Sequence, residues 1–191
     1  NILGKGVVIA KDTPNFIANR IGTYGMMVCL QEAHKSNLSV EDVDAWTGVL
    51  VGRPKSGTFR TADIVGLDTL AFVAKTAYDK CENDPERNKF EMPEFVQKMI
   101  ENKWLGQKTG QGFYKKIDKG VIHSIDFKSM EYSPMDKKRY ASIRIAKEST
   151  ELPVRLKSLI LSEDACGDFL WKSISSTMLY ASSLVGEISD D

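Results

Sequence analysis

Lys11-Asp12-Thr13-Pro14-Asn15-Phe16-Ile17-Ala18-Asn19-Arg20-Ile21-Gly22-Thr23-Tyr24 is the stretch that decides how this chain folds. Thr13 followed by Pro14 fits a helix N-cap with proline at the first helical position, where a missing N–H is tolerated. From Asn15 to about Lys35 the apolar residues Ile17, Ile21, Tyr24 and Val28 recur at helical spacing, and Met26, Met27 and Leu30 thicken the stripe. Arg20, Gln31 and Glu32 are the strongly polar interruptions before the end. So wide an apolar stripe predicts a helix buried on most sides, as a central or interface helix is.

Upstream of it, Gly6-Val7-Val8-Ile9-Ala10 is a β-branched run flanked by Lys5 and Lys11, which predicts one strand. Downstream, Ser39-Val40-Glu41-Asp42 is a capping box for a second helix from Val40 to about Leu50. Gly52-Arg53-Pro54-Lys55-Ser56-Gly57-Thr58 forms a turn cluster, and a third helix starts at Gly57 or Thr58 and ends at Val65. Asp68 is placed to cap a fourth, ending near Cys81. Met92 to Asn102 gives a shorter helix. Phe113–Lys116 and Val121–Phe127 flank Asp118-Lys119-Gly120 as a small hairpin. Residues 128–150 are polar and read as a linker with one helical stretch, Asp136 to Glu148. Two more helices follow, Leu152–Leu161 and Asp164–Val185, the second with an apolar line through Ile174, Met178, Ala181 and Val185. The expected class is mainly α, with one N-terminal strand and a small β-hairpin. Laying Phe16–Ile21 over Phe169–Ile174 also puts Met26 and Met27 on Leu179 and Tyr180. The match is either an internal repeat or the chance similarity of two buried helices.

Composition narrows the class of partner. The 191 residues carry 26 basic and 26 acidic side chains, a net charge of zero. A nucleic-acid-coating protein or a polybasic membrane-surface protein would carry a basic excess. No apolar run approaches the ~20 residues a membrane span needs. The first residues lack a signal-peptide profile and an initiator Met, so the chain reads as a piece of a longer protein. Cys29, Cys81 and Cys166 are far apart and lie in helical patterns. They read as buried neutral thiols in a reducing, cytoplasmic setting rather than disulfides or metal ligands.

Catalytic equipment is sparse. His34 and His123 are the two histidines, and neither has a carboxylate or cysteine partner at motif spacing. Gly4-Lys5-Gly6 and Gly110-Gln111-Gly112 each lack the strand-turn-helix order of a dinucleotide fingerprint. One polar face remains on the leading helix, made of Asn15, Asn19, Gly22, Thr23 and Met26. A buried carboxamide must find partners or cost about 1–3 kcal/mol. Asn19 therefore either aims its amide at a ligand, or ties down a neighbouring loop, or lies beside a close helix crossing at Gly22.

At this point the residues resemble a known family. Lys11 to Arg20 is similar to the "K-D-T-P-G-F-I-x-N-R" signature that opens the C-terminal domain of 3-hydroxyacyl-CoA dehydrogenases. Leu38–Asp44 resembles its second-helix entry and Gly52–Phe59 its "G-x-P-x-G-P-F" turn. Asp63–Asp68 resembles "D-x-V-G-L-D", and Lys108–Tyr114 the closing "K-T-G-x-G-F-Y". Asn15 stands where the family has Gly, and Thr58 where it has Pro. Residues 152–191 resemble the start of a second copy of the domain, as in fatty-acid-oxidation members with tandem repeats, with Lys172 at the place of Asn19. That copy is expected to be structural.

The resemblance implies a division of labour. An upstream Rossmann domain, expected before this chain, would bind NAD and carry the catalytic His-Glu pair. This part would close the acyl-CoA cleft and dimerise, bind no cofactor itself, and be inactive alone. Asn19 is implied as the catalytic amide, and Asn19, Thr23, Pro54 and Phe59 as substrate contacts. The implied divisions are 1–12, a leftover Rossmann strand and linker; 13–117, the helical domain; 118–150, hairpin and linker; and 151–191, the second copy. The rival readings are a purely structural helical dimerisation module and the equivalent domain of a related 3-hydroxy-acid dehydrogenase. The width of the leading helix's stripe favours the dimerisation module.

Overall fold

The computed structural model describes residue 4 and residues 6–118, 120–136 and 138–190. Lys119, in the expected hairpin turn, and residues 1–3 and 5 of the expected first segment lie outside them. The leading helix, α1, spans Ala18–Lys35 and begins later than Thr13-Pro14 suggested. Asn15 and Phe16 both have positive φ, 67° and 50°, which no helical turn accommodates. Asparagine is the non-glycine residue that best tolerates that conformation, which explains how it replaces Gly here. The expected strand Gly6–Ala10 is absent. Ala10 makes one isolated bridge to Ser189, and Val7, Val8 and Ile9 stay exposed. A β-branched run becomes a strand only where a ladder partner exists.

Helix α2 spans Val40–Thr47, and the Ser39 side chain accepts from the Asp42 N–H as the capping box requires. A 3-10 turn, Val49–Val51, replaces its expected last turn. Helix α3 is Phe59–Val65 and α4 is Leu67–Lys80. Asp68 is not the cap of α4: it sits inside the first turn and pairs with Lys108 at 2.5 Å. Helix α5 is Glu94–Glu101. Strands β1, Tyr114–Asp118, and β2, Val121–Ile125, form the hairpin. A third strand, β3 (Tyr132–Pro134), pairs antiparallel with β2 inside the expected linker. Pro134 lacks an N–H and sits on an edge strand, where that is tolerated. Helix α6, Ala141–Lys147, is shorter than expected, and α7 (Leu152–Ile160) and α8 (Ala165–Ser183) follow.

The largest core cluster gathers Met27, Leu30, Trp46, Phe59, Leu67, Met99 and Leu170 from the helices, Phe113 from the loop before β1 and Ile125 from β2. Helices α1 and α8 lie antiparallel against one another. Tyr24 stacks on Tyr180 with ring centroids 3.8 Å apart, Gly25 lies under Thr177, and Glu32 meets Lys172 at 3.6 Å. The expected line on α8 is only half inward: Ile174 packs against the core and Ala181 is half-buried. Met178 and Val185 are exposed, while Cys166, Phe169, Leu170, Ser173 and Tyr180 form the buried face. The apolar surplus of α1 that pointed to a dimer is thus covered by α8 of the same chain.

Candidate functional site

The head of α1 is shaped by the two left-handed residues before it. They turn the chain so that the Asn15 side chain reaches α4 and donates to the Val73 carbonyl at 3.0 Å. That tether lays the segment bearing Phe16 beside the segment bearing Phe72, and both rings are exposed, 55% and 73%. The amino end of α1 has no side-chain cap and no acidic residue in its first turn. Its free N–H groups therefore leave partial positive charge at the surface.

Asn19 lies in this first turn, exposed, and its amide makes no hydrogen bond to the described residues. Gly22, one turn on, is also exposed, and a methyl group there would meet nothing within 4 Å. The close helix crossing falls at Gly25, where a Cβ would come to 3.1 Å from Thr177 Oγ1. Of the three readings of Asn19, loop tether and helix crossing are both excluded: Asn15 does the tethering and Gly25 the crossing. Asn19 is thus an amide without a hydrogen-bond partner among the described residues, exposed in the first turn of an 18-residue helix.

The other implied substrate contacts do not join it. Thr23 shares the Asn19 side of α1 but is buried. Pro54 is exposed in the turn after α2. Phe59 is 0% exposed, with its ring against Phe113 at 4.7 Å and Phe127 at 5.5 Å. It is a core residue, and a substrate could touch it only if that core opened.

The motifs around it are latches. Asp44 accepts from the Phe59 and Arg60 N–H groups, at 2.6 and 3.0 Å, and from the Tyr114 hydroxyl at 2.7 Å. It caps α3 across space, since Thr58 at the head of that helix makes no side-chain cap bond. Gly57 has φ 66°, and a Cβ there would stand 2.6 Å from the Asp44 carbonyl, so the turn admits only glycine. Asp63 accepts from the Phe113 and Tyr114 N–H groups at 2.8 and 2.9 Å, holding the loop into β1. Burial pushes both carboxyls up to about 6, against the lowering pull of these N–H donors.

Arg20, beside Asn19, was unforeseen. Its side chain is 0% exposed. Nη2 meets Asp84 Oδ2 at 2.5 Å and Glu187 Oε1 at 3.2 Å, Nη1 donates to Cys81 Sγ, and Nε donates to the Tyr180 hydroxyl at 2.6 Å. The signal was available: Arg20 is one turn from Tyr24 and two from Met27 and Val28, which places it on the apolar stripe. All three cysteines are free and buried, and burial pushes each thiol up.

Comparison with known proteins agrees with the resemblance. The family model described as "3-hydroxyacyl-CoA dehydrogenase, C-terminal domain" matches residues 16–116. A protein named "Probable 3-hydroxyacyl-CoA dehydrogenase" from Bacillus subtilis (strain 168) is 50% identical over 191 residues, all of this chain and 24% of its own length. The rat protein named "Hydroxyacyl-coenzyme A dehydrogenase, mitochondrial" is 37% identical over 113 residues, 59% of this chain and 35% of its own. The crystal structure of M. tuberculosis FadB2 shares 30% identity at a TM-score of 0.48, covering 61% of this chain and 39% of that one. The chain spans 24% to 35% of the length of these curated relatives.

Proposed function

The chain belongs to the 3-hydroxyacyl-CoA dehydrogenase C-terminal-domain family, and from that premise we propose that it forms one wall of the substrate cleft in an NAD-dependent enzyme. That enzyme oxidises (S)-3-hydroxyacyl-CoA to 3-ketoacyl-CoA in fatty-acid β-oxidation. The described residues do not fit a dinucleotide. Their sheet is a three-stranded antiparallel one, and no glycine turn leads from a strand into a helix. We therefore assign NAD, and the base that removes the hydroxyl proton, to an upstream domain of the whole protein, and derive no step through them.

The contribution of these residues is a hydrogen-bond donor. The Asn19 amide holds the oxygen on the reacting carbon, and the uncapped end of α1 favours any negative charge that builds there. The carrying observation is that Asn19 is exposed and unbonded among the described residues while its neighbour Arg20 is sealed and fully occupied. Exposed Phe16 and Phe72 supply apolar surface for the acyl portion or for the upstream domain. The three buried free thiols support a cytoplasmic setting. No helix of the described residues is long and apolar enough to cross a membrane. Because α8 covers α1, self-association of the whole protein would need another surface, which light scattering reads.

In the whole protein, Asn19→Ala should lower kcat by ~10²–10³, the loss typical of one aimed donor. Its urea midpoint should stay at the wild-type value. Wild-type turnover in that variant removes Asn19 from the reaction.

A further inference from the structure

We propose that Tyr180 is a positioning residue for Asn19, acting through Arg20, so that α8 sets the aim of the amide on α1. The inference rests on the role proposed for Asn19. It adds a dependence on residues outside the 16–116 family match.

The head of α1 is held on one side. It lacks a side-chain cap, it follows two left-handed residues, and Ala18, Asn19 and Gly22 are exposed, while Ile17 and Ile21 pack inward on the cluster around Tyr24 and Tyr180. Beside the Asn15 tether and this packing of Ile17 and Ile21, the polar hold on the rotation of the first turn is Arg20. That guanidinium is held from three directions: Cys81 and Asp84 after α4, Glu187 after α8, and Tyr180 on α8. Tyr180 is the organising member. Its hydroxyl accepts from Arg20 Nε at 2.6 Å and donates to Asp84 Oδ2 at 2.6 Å. Its ring lies on Tyr24 at 3.8 Å and 13°, one turn along α1 from Arg20. One side chain of α8 thus grips α1 at two successive turns.

The geometry amplifies small slips. Side chains reach about 5–6 Å from a helix axis. A rotation of α1 by about 10° therefore moves the Asn19 amide by about 1 Å, and a misplacement of that size can cost ~10²-fold in rate.

The test uses the whole protein and three variants, Tyr180→Phe, Asn19→Ala and Leu184→Val. Tyr180→Phe keeps the ring stack and deletes the hydroxyl. It should lower kcat by about 10-fold to 100-fold with KM for the acyl-CoA within about twofold. Placed in Asn19→Ala, it should change kcat by less than about twofold, because there is no amide left to aim. Leu184→Val loosens the same buried cluster without touching the hydroxyl, and should lower thermal stability while leaving kcat unchanged. Wild-type kcat in Tyr180→Phe overturns the proposal. So does a full, additive loss in the Asn19→Ala background, or an equal kcat loss in Leu184→Val, since either would mark Tyr180 as structural only. Wild-type turnover in Asn19→Ala alone is a separate result: it ends the role of Asn19 itself, and this proposal with it.

Discussion

Helices α1 and α8 open on similar sequence, Phe16–Ile21 against Phe169–Ile174, yet they present opposite chemistry at the matched position. Asn19 is exposed and makes no hydrogen bond to the described residues, whereas Lys172 of α8 is drawn to Glu32 of α1 at 3.6 Å. The helices also differ in what they bury. Helix α1 buries an arginine among its apolar residues, while α8 buries Tyr180, Ser173 and Gly167 and leaves Trp171, Met178 and Leu179 outside. The difference teaches that α8 serves α1. Its inward face is shaped to accept the arginine and a close crossing, and the position matching the amide is spent on holding the pair together.

The comparison breaks most sharply at Asp84. Removing it in Asp84→Ala leaves the Arg20 charge enclosed with Glu187 as its remaining carboxylate partner, itself about half exposed. Breaking one partner of a buried ion pair typically costs about 3–5 kcal/mol. Urea unfolding should show a loss of that size. A loss below about 1 kcal/mol would mean that Arg20 turns outward on its own, and that α1 and α8 are joined by packing alone.

How far this joint was legible in the sequence depends on the residue. The end of α4 near Cys81, the Ser39 cap of α2 and the helical character of α1 follow from periodicity and local turn chemistry, and they stand. Arg20 was on the stripe by spacing, but an arginine is ordinarily solvated, and its carboxylate lies 64 positions away. On α8 apolar character ranks Met178 above Ser173, whereas the close crossing with α1 buries Ser173 and leaves Met178 exposed. Pro134 masks strand β3 in the sequence, and the β-branched run Gly6–Ala10 reads as a strand locally, whereas strand formation depends on a ladder partner that no local window shows. At the candidate site, the motif draws attention to Asn19, and the structure adds that it is exposed. The burial of Phe59 was not legible, because a motif records that a residue is kept and not whether it faces core or cleft.

A second measurement separates this ion-paired joint from the latches of the rest of the domain. Asp44 and Asp63 are pushed from 3.8 up to about 6 in the folded state, chiefly by burial. The folded protein then holds more protons than the unfolded one between about pH 4 and about pH 6, so these groups cost stability as pH rises through that window. The shift corresponds to at most about 3 kcal/mol for each group. Asp44→Asn does not titrate. Between about pH 4 and about pH 7 the stability of wild type relative to Asp44→Asn should therefore fall by up to that amount. A difference that rises with pH would show that the N–H donors at Phe59 and Arg60 outweigh burial.

The smallest effect discriminates the two faces of α1 by a single methyl group. Gly22 opens on space and Gly25 sits under Thr177, three positions apart on one helix. Replacing an exposed helical glycine by alanine is worth about 1 kcal/mol of backbone entropy, so Gly22→Ala should raise the urea midpoint. The same gain is available at Gly25, but there the new Cβ stands 3.1 Å from Thr177 Oγ1 and 3.4 Å from its Cγ2. Thr177 cannot simply rotate away, because its hydroxyl donates to the Ser173 carbonyl at 2.7 Å and its second branch takes up the vacated place. The helices must part instead, opening the Tyr24–Tyr180 stack and lengthening the Arg20–Tyr180 bond. Gly25→Ala should therefore fall below Gly22→Ala by about 1–2 kcal/mol, the usual range for overpacking. If both variants gain equally, the crossing tolerates a methyl group, and the grip of α8 on the rotation of α1 is looser than the aim of Asn19 requires.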